Sequence, residues 1–195
     1  RLLKHFGPQH WWPDDTPFEI MVGAILTQNT NWQNVEKALA NLKKAGVLSL
    51  QALADLPVER LAEYIRPAGY YKIKAGRLQN LFAMIAEHWD NDLEYLLQQP
   101  VAVLREQLLS VKGIGPETAD SMVLYAAEQP VFVVDTYTHR ILFRHELIAE
   151  DADYFELQEV FTDNLQEDVS LFNEYHALLV QVGKNFCKKS KLKCG

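Results

Sequence analysis

Residues 108–120 read LLSVKGIGPETAD, two apolar helical runs divided by a turn that carries Gly113 and Gly115 around Ile114, with Pro116 placed to start the second run. A turn this tight between helices wants glycine for left-handed dihedrals and lets the backbone come close to another object. It also aims free N–H groups from the start of a helix, an arrangement suited to a phosphate oxygen. Taken singly, a GxG between helices is most often a plain interhelical turn. The neighbouring sequence has to decide what the turn is for.

In both directions from this turn, helix signals dominate. Thr16-Pro17-Phe18-Glu19 reads as a capping box with proline at the first helical position, opening FEIMVGAILTQ, whose apolar residues recur at three and four. Asn31 caps WQNVEKALANLKKA, which stops at Gly46. Further helices are predicted after Ser49, Pro57 and Gly69, from Pro100, and from Pro116 through PETADSMVLYAAE. The short apolar FVVD is followed by THRILFRH, YFELQEVFTDNL and FNEYHALLVQVGKNF. No pair of strands stands out and the connections are short. The fold class is all-α, with about ten helices.

Composition narrows the function classes. With 195 residues, 48% hydrophobic and 23% charged, the chain excludes disorder and has room for one or two small cores. No apolar run approaches the ~20 residues needed to span a bilayer, and Arg1 to Trp12 lack the apolar core of a signal peptide. A cytoplasmic protein with no membrane partner is expected. The sequence opens on Arg1 and stops at Gly195 in a lysine-rich stretch, so absence arguments at either end carry no weight. The net charge of −7 speaks against binding a polyanion. Its distribution is uneven, however: residues 66–77 hold four basic side chains and residues 184–195 hold five, with no Asp or Glu in either stretch, while Glu146 to Asn173 is strongly acidic. Charge by itself leaves open a phosphate-binding face or two ordinary solvated patches. Cys187 and Cys194 are separated by six residues. A disulfide between them would close only a small loop, and paired cysteines in an intracellular chain more often mark metal, although two ligands do not close a site.

The 108–120 segment resembles the helix-hairpin-helix motif, and Asp135 in VVDT follows Glu117 by 18 residues, the spacing of the endonuclease III branch of the helix-hairpin-helix base-excision DNA glycosylases. The resemblance extends along the chain. LTQNT, residues 26–30, looks like the stretch whose glutamine fills the gap left by an extruded base, and HALLVQVGKNFC followed by six residues and Cys194 is similar to the approach to that family's iron–sulfur loop. WWP ahead of the first core helix, with LTQNTNW, looks like the type III 3-methyladenine DNA glycosylases of the same superfamily. Four matches in order over residues 16–195 are far more specific than any one of them.

This resemblance implies a helical-barrel domain at residues 16–129 that contains the hairpin, and a second helical domain from residues 1–15 and 130–195 that carries the cysteine loop. The two would flank a DNA-binding cleft with Asp135 between them. It further implies a monomer that acts at the nucleoid, hydrolysing the bond between a damaged base and deoxyribose in double-stranded DNA after rotating the nucleotide out of the stack. Val111, Lys112, Gly113, Ile114 and Gly115 would grip the backbone through their amides, with an alkali cation on the hairpin carbonyls. Gln28 would be the plug. Asp135 would stabilise an oxocarbenium-like sugar or orient a water, although aspartate is also favoured as a plain N-cap ahead of TYTHR.

Glu117 departs from the bifunctional members, which carry there a lysine that forms a Schiff base. A carboxylate cannot form an imine, so the expected enzyme is a glycosylase without lyase activity that leaves the abasic site intact. Glu117 itself could place water or meet a cationic base, or be a first-turn glutamate favoured by the helix dipole. Trp11, Trp12 and Trp32 are the candidates for a base pocket. An N3-alkylated purine is cationic and already a good leaving group, so stacking on electron-rich rings can select it, with core packing as the plainer role of each indole. Cys187 and Cys194 match the first half of C-x6-C-x2-C-x5-C, which implies a [4Fe–4S] cluster with two of its four ligands in this sequence. Lys188, Lys189, Lys191 and Lys193 would then face phosphates. Excision of oxidised pyrimidines or mismatched bases is the alternative within the class. A non-catalytic helix-hairpin-helix DNA-binding module is the alternative outside it, disfavoured because such a module has no need of an aspartate at this spacing.

Overall fold

The computed structural model describes residues 1–12 and 16–190. Twelve α-helices follow in order: α1 (Leu2–Phe6), α2 (Pro17–Thr27), α3 (Trp32–Ala45), α4 (Leu50–Ala54), α5 (Val58–Tyr64), α6 (Tyr71–Trp89), α7 (Leu93–Leu97), α8 (Val101–Ser110), α9 (Pro116–Ser121), α10 (Thr136–Arg144), α11 (Tyr154–Thr162) and α12 (Val169–Asn185). A 3-10 turn at Arg66–Ala68 precedes α6, and a π-helical stretch at Met122–Ala126 continues α9. Among the described residues there is no β-strand, as the all-α reading expects. Two details differ from the sequence pattern. PETADSMVLYAAE is not one regular helix, because its winding widens after Ser121. Helices α1 and α7, five residues each, escape the periodicity because so short a run does not complete two turns.

The chain divides into two compact units, Asp14–Ala127 and the combination of Arg1–Pro13 with Glu128–Gly195. The first is built around α2, whose residues Phe18 to Leu26 are all buried. A helix apolar on every side has to be central, and α2 packs against α3, α6, α9 and the π-helical stretch. Thr16 caps it, its Oγ1 accepting from the Glu19 amide at 3.2 Å. The reciprocal half of the expected capping box gives way to an ion pair: the Glu19 carboxylate, 3% exposed, binds Lys43 at 2.6 Å. Inside a buried helix a carboxylate needs a counter-charge more than its own turn needs a second cap. Helix α3 begins on Asn31 and ends on Gly46 at φ 68°, both as the sequence predicts.

The other unit packs α10 against α12. Gly183 makes that approach close, since a Cβ there would lie 2.3 Å from Cδ1 of Tyr137. Around Phe132 an aromatic cluster forms the core, with Phe161 stacked on it at 4.0 Å between centroids and Phe172 edge-on at 5.2 Å. Helix α11 opens on a full capping box from Asp153 and Glu156.

Candidate active site

The hairpin between α8 and α9 is anchored by its apolar residues. Val111 and Ile114 are buried, and the Ile114 amide donates to the Val111 carbonyl at 3.0 Å. Gly113 adopts φ +99°, and a Cβ there would come within 2.5 Å of Cγ of Arg77, so both dihedral and space demand glycine. The two glycines are not alike, and the left-handed dihedral expected of the turn falls on Gly113 alone of the pair. Gly115 is extended at φ −100° with nothing within 4 Å of a Cβ position, so it leaves room above the backbone rather than relieving strain. Among the described residues, neither glycine amide meets a protein acceptor.

Gln28, at the C-terminal cap of α2, reaches this hairpin. Its Nε2 donates to the Gly113 carbonyl at 3.1 Å and to Oγ1 of Thr118 at 3.0 Å, and the Arg77 guanidinium donates to its Oε1. Asn80 adds a bond from Nδ2 to the Lys112 carbonyl at 3.0 Å. The candidate plug and the candidate phosphate grip are thereby one hydrogen-bonded assembly. Arg77, Thr118 and Asn80 complete it without being singled out by the sequence. Glu117 is exposed in the first turn of α9. The hairpin carbonyls of Val111, Lys112 and Gly113 each accept one N–H, which leaves each a lone pair and a donor set suited to a hard alkali cation.

Asp135 has two tasks on two oxygens. As the N-cap of α10, its Oδ1 accepts from the Thr138 amide at 2.7 Å and from Oγ1 of Thr138 at 2.9 Å. Its Oδ2 faces Nε2 of His176 on α12 at 3.8 Å. Burial by itself pushes this carboxyl up, yet the facing His176 imidazole and the two bonds from Thr138 outweigh it and hold Asp135 below its ordinary value. The group stays ionised at neutral pH. Lys184, also on α12, stands over the ring of Trp11 at 5.2 Å, and partial desolvation lowers its amine while the Asp135 charge opposes that shift. Trp11 is therefore associated with the Asp135 surroundings. Trp12 is partly exposed, and Trp32 heads α3 in the other unit with its indole N–H on Glu36 at 3.0 Å. His176 and Lys184 were missed by the motif search, although their spacing of eight puts them on one helical face.

Cys187 is buried, and Arg144 donates to its Sγ at 3.2 Å and to the carbonyls of Lys188 and Lys189. Arg140 donates to the Cys187 carbonyl at 2.7 Å. Cys194, Lys191 and Lys193 lie outside the described residues. A four-thiolate cluster needs more cysteines than the two in this sequence, so the residues present do not complete such a site. Lys188 and Lys189 are exposed.

The family model of the HhH-GPD superfamily base excision DNA repair proteins matches residues 22–167, a span that includes Gln28, the hairpin and Asp135. The chain belongs to this superfamily. The HhH-GPD protein is 46% identical, over 98% of its length and 87% of the relative's, to a provisionally named DNA repair glycosylase of Methanocaldococcus jannaschii. It is 28% identical, over 99% of its length and 84% of the relative's, to endonuclease III of Thermotoga maritima. Among solved structures, the H. pylori 3-methyladenine DNA glycosylase bound to 1,N6-ethenoadenine has 35% identity and a TM-score of 0.79, covering 94% of this chain and 91% of that one. A trapped endonuclease III–DNA intermediate reaches a TM-score of 0.85 at 23% identity, covering 99% and 86%, and shows the shared fold. This HhH-GPD member is a DNA glycosylase of base excision repair.

Proposed function

We propose that this HhH-GPD glycosylase is monofunctional and excises alkylated purines, 3-methyladenine among them, from double-stranded DNA. The observation that carries the reading is a pair of residues. A buried, ionised carboxylate stands at Asp135, whereas the hairpin position at which bifunctional enzymes bear an amine is Glu117. The similarity to a 3-methyladenine glycosylase that binds 1,N6-ethenoadenine supports the base class. So does Trp11, whose ring already faces a cationic side chain as it would face a cationic base.

In this mechanism the amides of Gly113 and Gly115 hold a phosphate beside the lesion, and Gln28 enters the gap left by the extruded base. The base departs with the bonding electron pair, the already ionised Asp135 carboxylate stabilises the positive charge left at the sugar, and a water adds to the anomeric carbon and gives its proton to solvent, leaving the abasic site. An alkali cation on the hairpin carbonyls would strengthen the phosphate grip. Cys187 and Cys194 supply two of the four thiolates that a [4Fe–4S] cluster takes, and the reaction has no step through one.

A panel of duplexes carrying 3-methyladenine, 1,N6-ethenoadenine, an oxidised pyrimidine or a G·T mismatch tests the proposal, followed by borohydride treatment with an abasic duplex. Fastest release from the alkylated purines and no trapped adduct is the expected result. Preference for the oxidised pyrimidine would favour the endonuclease III-like activity, and a borohydride-trapped protein–DNA adduct would overturn the monofunctional assignment.

A further inference from the structure

Lys74 has no place in the mechanism above, yet it is among the most deeply buried side chains, at 1% exposure. It belongs to the basic 66–77 stretch, and its burial excludes it both from a phosphate-binding face and from a solvated patch. Instead its ammonium lies inside the Asp14–Ala127 unit and donates three hydrogen bonds: to the Leu26 carbonyl at 2.7 Å, to Oγ1 of Thr30 at 2.8 Å and to the Ala68 carbonyl at 2.8 Å. An ammonium has three N–H groups, so its donors are fully used.

The three oxygens are informative in their placement. Leu26 is in the last turn of α2, where carbonyls lack helical partners and the dipole favours a cation. Thr30 lies just before α3, and its hydroxyl donates in turn to the Ala68 carbonyl at the end of the 3-10 turn. Leu26 and Thr30 flank Gln28. The Lys74 head therefore clamps both sides of the short loop that carries the plug and ties that loop to the residues ahead of α6. Arg77, one turn further along α6, holds the plug's own Oε1.

We propose that Lys74 is a positioning residue for base extrusion: it fixes the backbone on both sides of Gln28 so that the plug enters the DNA gap at a set height. No carboxylate among its hydrogen-bond partners accounts for burying this charge, and a neutral apolar side chain would fill the space without the desolvation cost. The loop geometry is what the charge secures. The inference rests on the plug reading of Gln28, and its test separates the two.

The probe is a duplex with a tetrahydrofuran abasic analogue opposite 2-aminopurine, which needs no knowledge of the preferred base, bound by the full chain and compared with an undamaged duplex. Lys74→Gln should weaken binding to the abasic duplex about 10- to 100-fold, the scale of a misplacement near 1 Å, and blunt the 2-aminopurine signal. Affinity for the undamaged duplex should stay unchanged. In a Gln28→Ala background the same substitution should have almost no further effect. Thr30→Val, which removes one oxygen and keeps the buried volume, should give a smaller loss with the same selectivity, and it provides the test if Lys74→Gln does not fold. Losses that multiply in the double variant, or that fall equally on both duplexes, would show that Lys74 supports the unit generally and overturn the proposal. If Gln28→Ala by itself leaves the preference for the abasic duplex intact, the plug reading fails and the positioning role fails with it.

Discussion

Lys74 and Asp135 are both ionisable groups withdrawn from water, one in each unit, and their surroundings treat them differently. Lys74 is bound by three neutral oxygens, and burial together with the nearby Arg77 charge lowers its amine from 10.5 to about 8. Asp135 meets the Thr138 donors and a facing histidine, and these outweigh burial so that its carboxyl is held below the ordinary value. Burial pushes both groups toward neutrality. Only at Asp135 do the partners reverse that push. The difference separates a carboxylate kept ionised from an amine pushed toward neutrality, and it implies that the cost of each should be visible in different measurements.

The sharpest way to break the comparison is Asp135→Asn. Asparagine caps a helix as well as aspartate does, so α10 should persist, with a modest fall in melting temperature from the charge lost opposite His176. Excision in a single turnover should fall about 100- to 1,000-fold because the negative charge is gone. An asparagine variant as fast as wild type would leave Asp135 with capping as its whole task.

A smaller effect is expected from His176→Leu, which removes the imidazole facing Oδ2. The folded value of Asp135 should rise, moving the acid limb of the pH–rate profile to higher pH. In the wild type a depressed folded value contributes stability above the unfolded carboxylate range and loses it as pH falls through the folded value. Acid denaturation followed by circular dichroism should therefore start at higher pH in the variant. Unchanged profiles would mean that the Thr138 bonds suffice.

The least expected change concerns Lys74. Its folded value of about 8 lies below the 10.5 of the free amine, so between these values the unfolded chain binds more protons and stability rises with pH. Urea midpoints should accordingly increase for the wild type relative to Lys74→Gln on going from about pH 8 to about pH 10. A flat difference would mean that the amine is not desolvated as its burial implies.

Much of this was legible in the residues. Asn31, Gly46 and the apolar run of α2 specify their helices through local chemistry, and LTQNT, GIG and VVDT set the candidate site residues Gln28, Gly113, Gly115 and Asp135 in order along the chain. What escaped was non-local. Glu19 looks like half of a capping box until α3 brings Lys43 to it. Lys74 looks like a surface cation until the fold encloses it, because no pattern in KIKAGR says which lysine faces inward without knowing what α6 packs against.

The sequence by itself determined that the chain is helical, that it carries a glycine hairpin followed by an aspartate at a telling interval, and that residue 117 is a glutamate. Periodicity, capping and residue chemistry act within a few residues, so they can be read in one dimension. Only the tertiary structure decided that Gln28 rests on Gly113 and Thr118, that His176 faces Asp135, and that Lys74 binds oxygens on both sides of Gln28. Those contacts join residues far apart in the chain, and the balance of burial against hydrogen bonding that sets each charge exists only once the helices have packed.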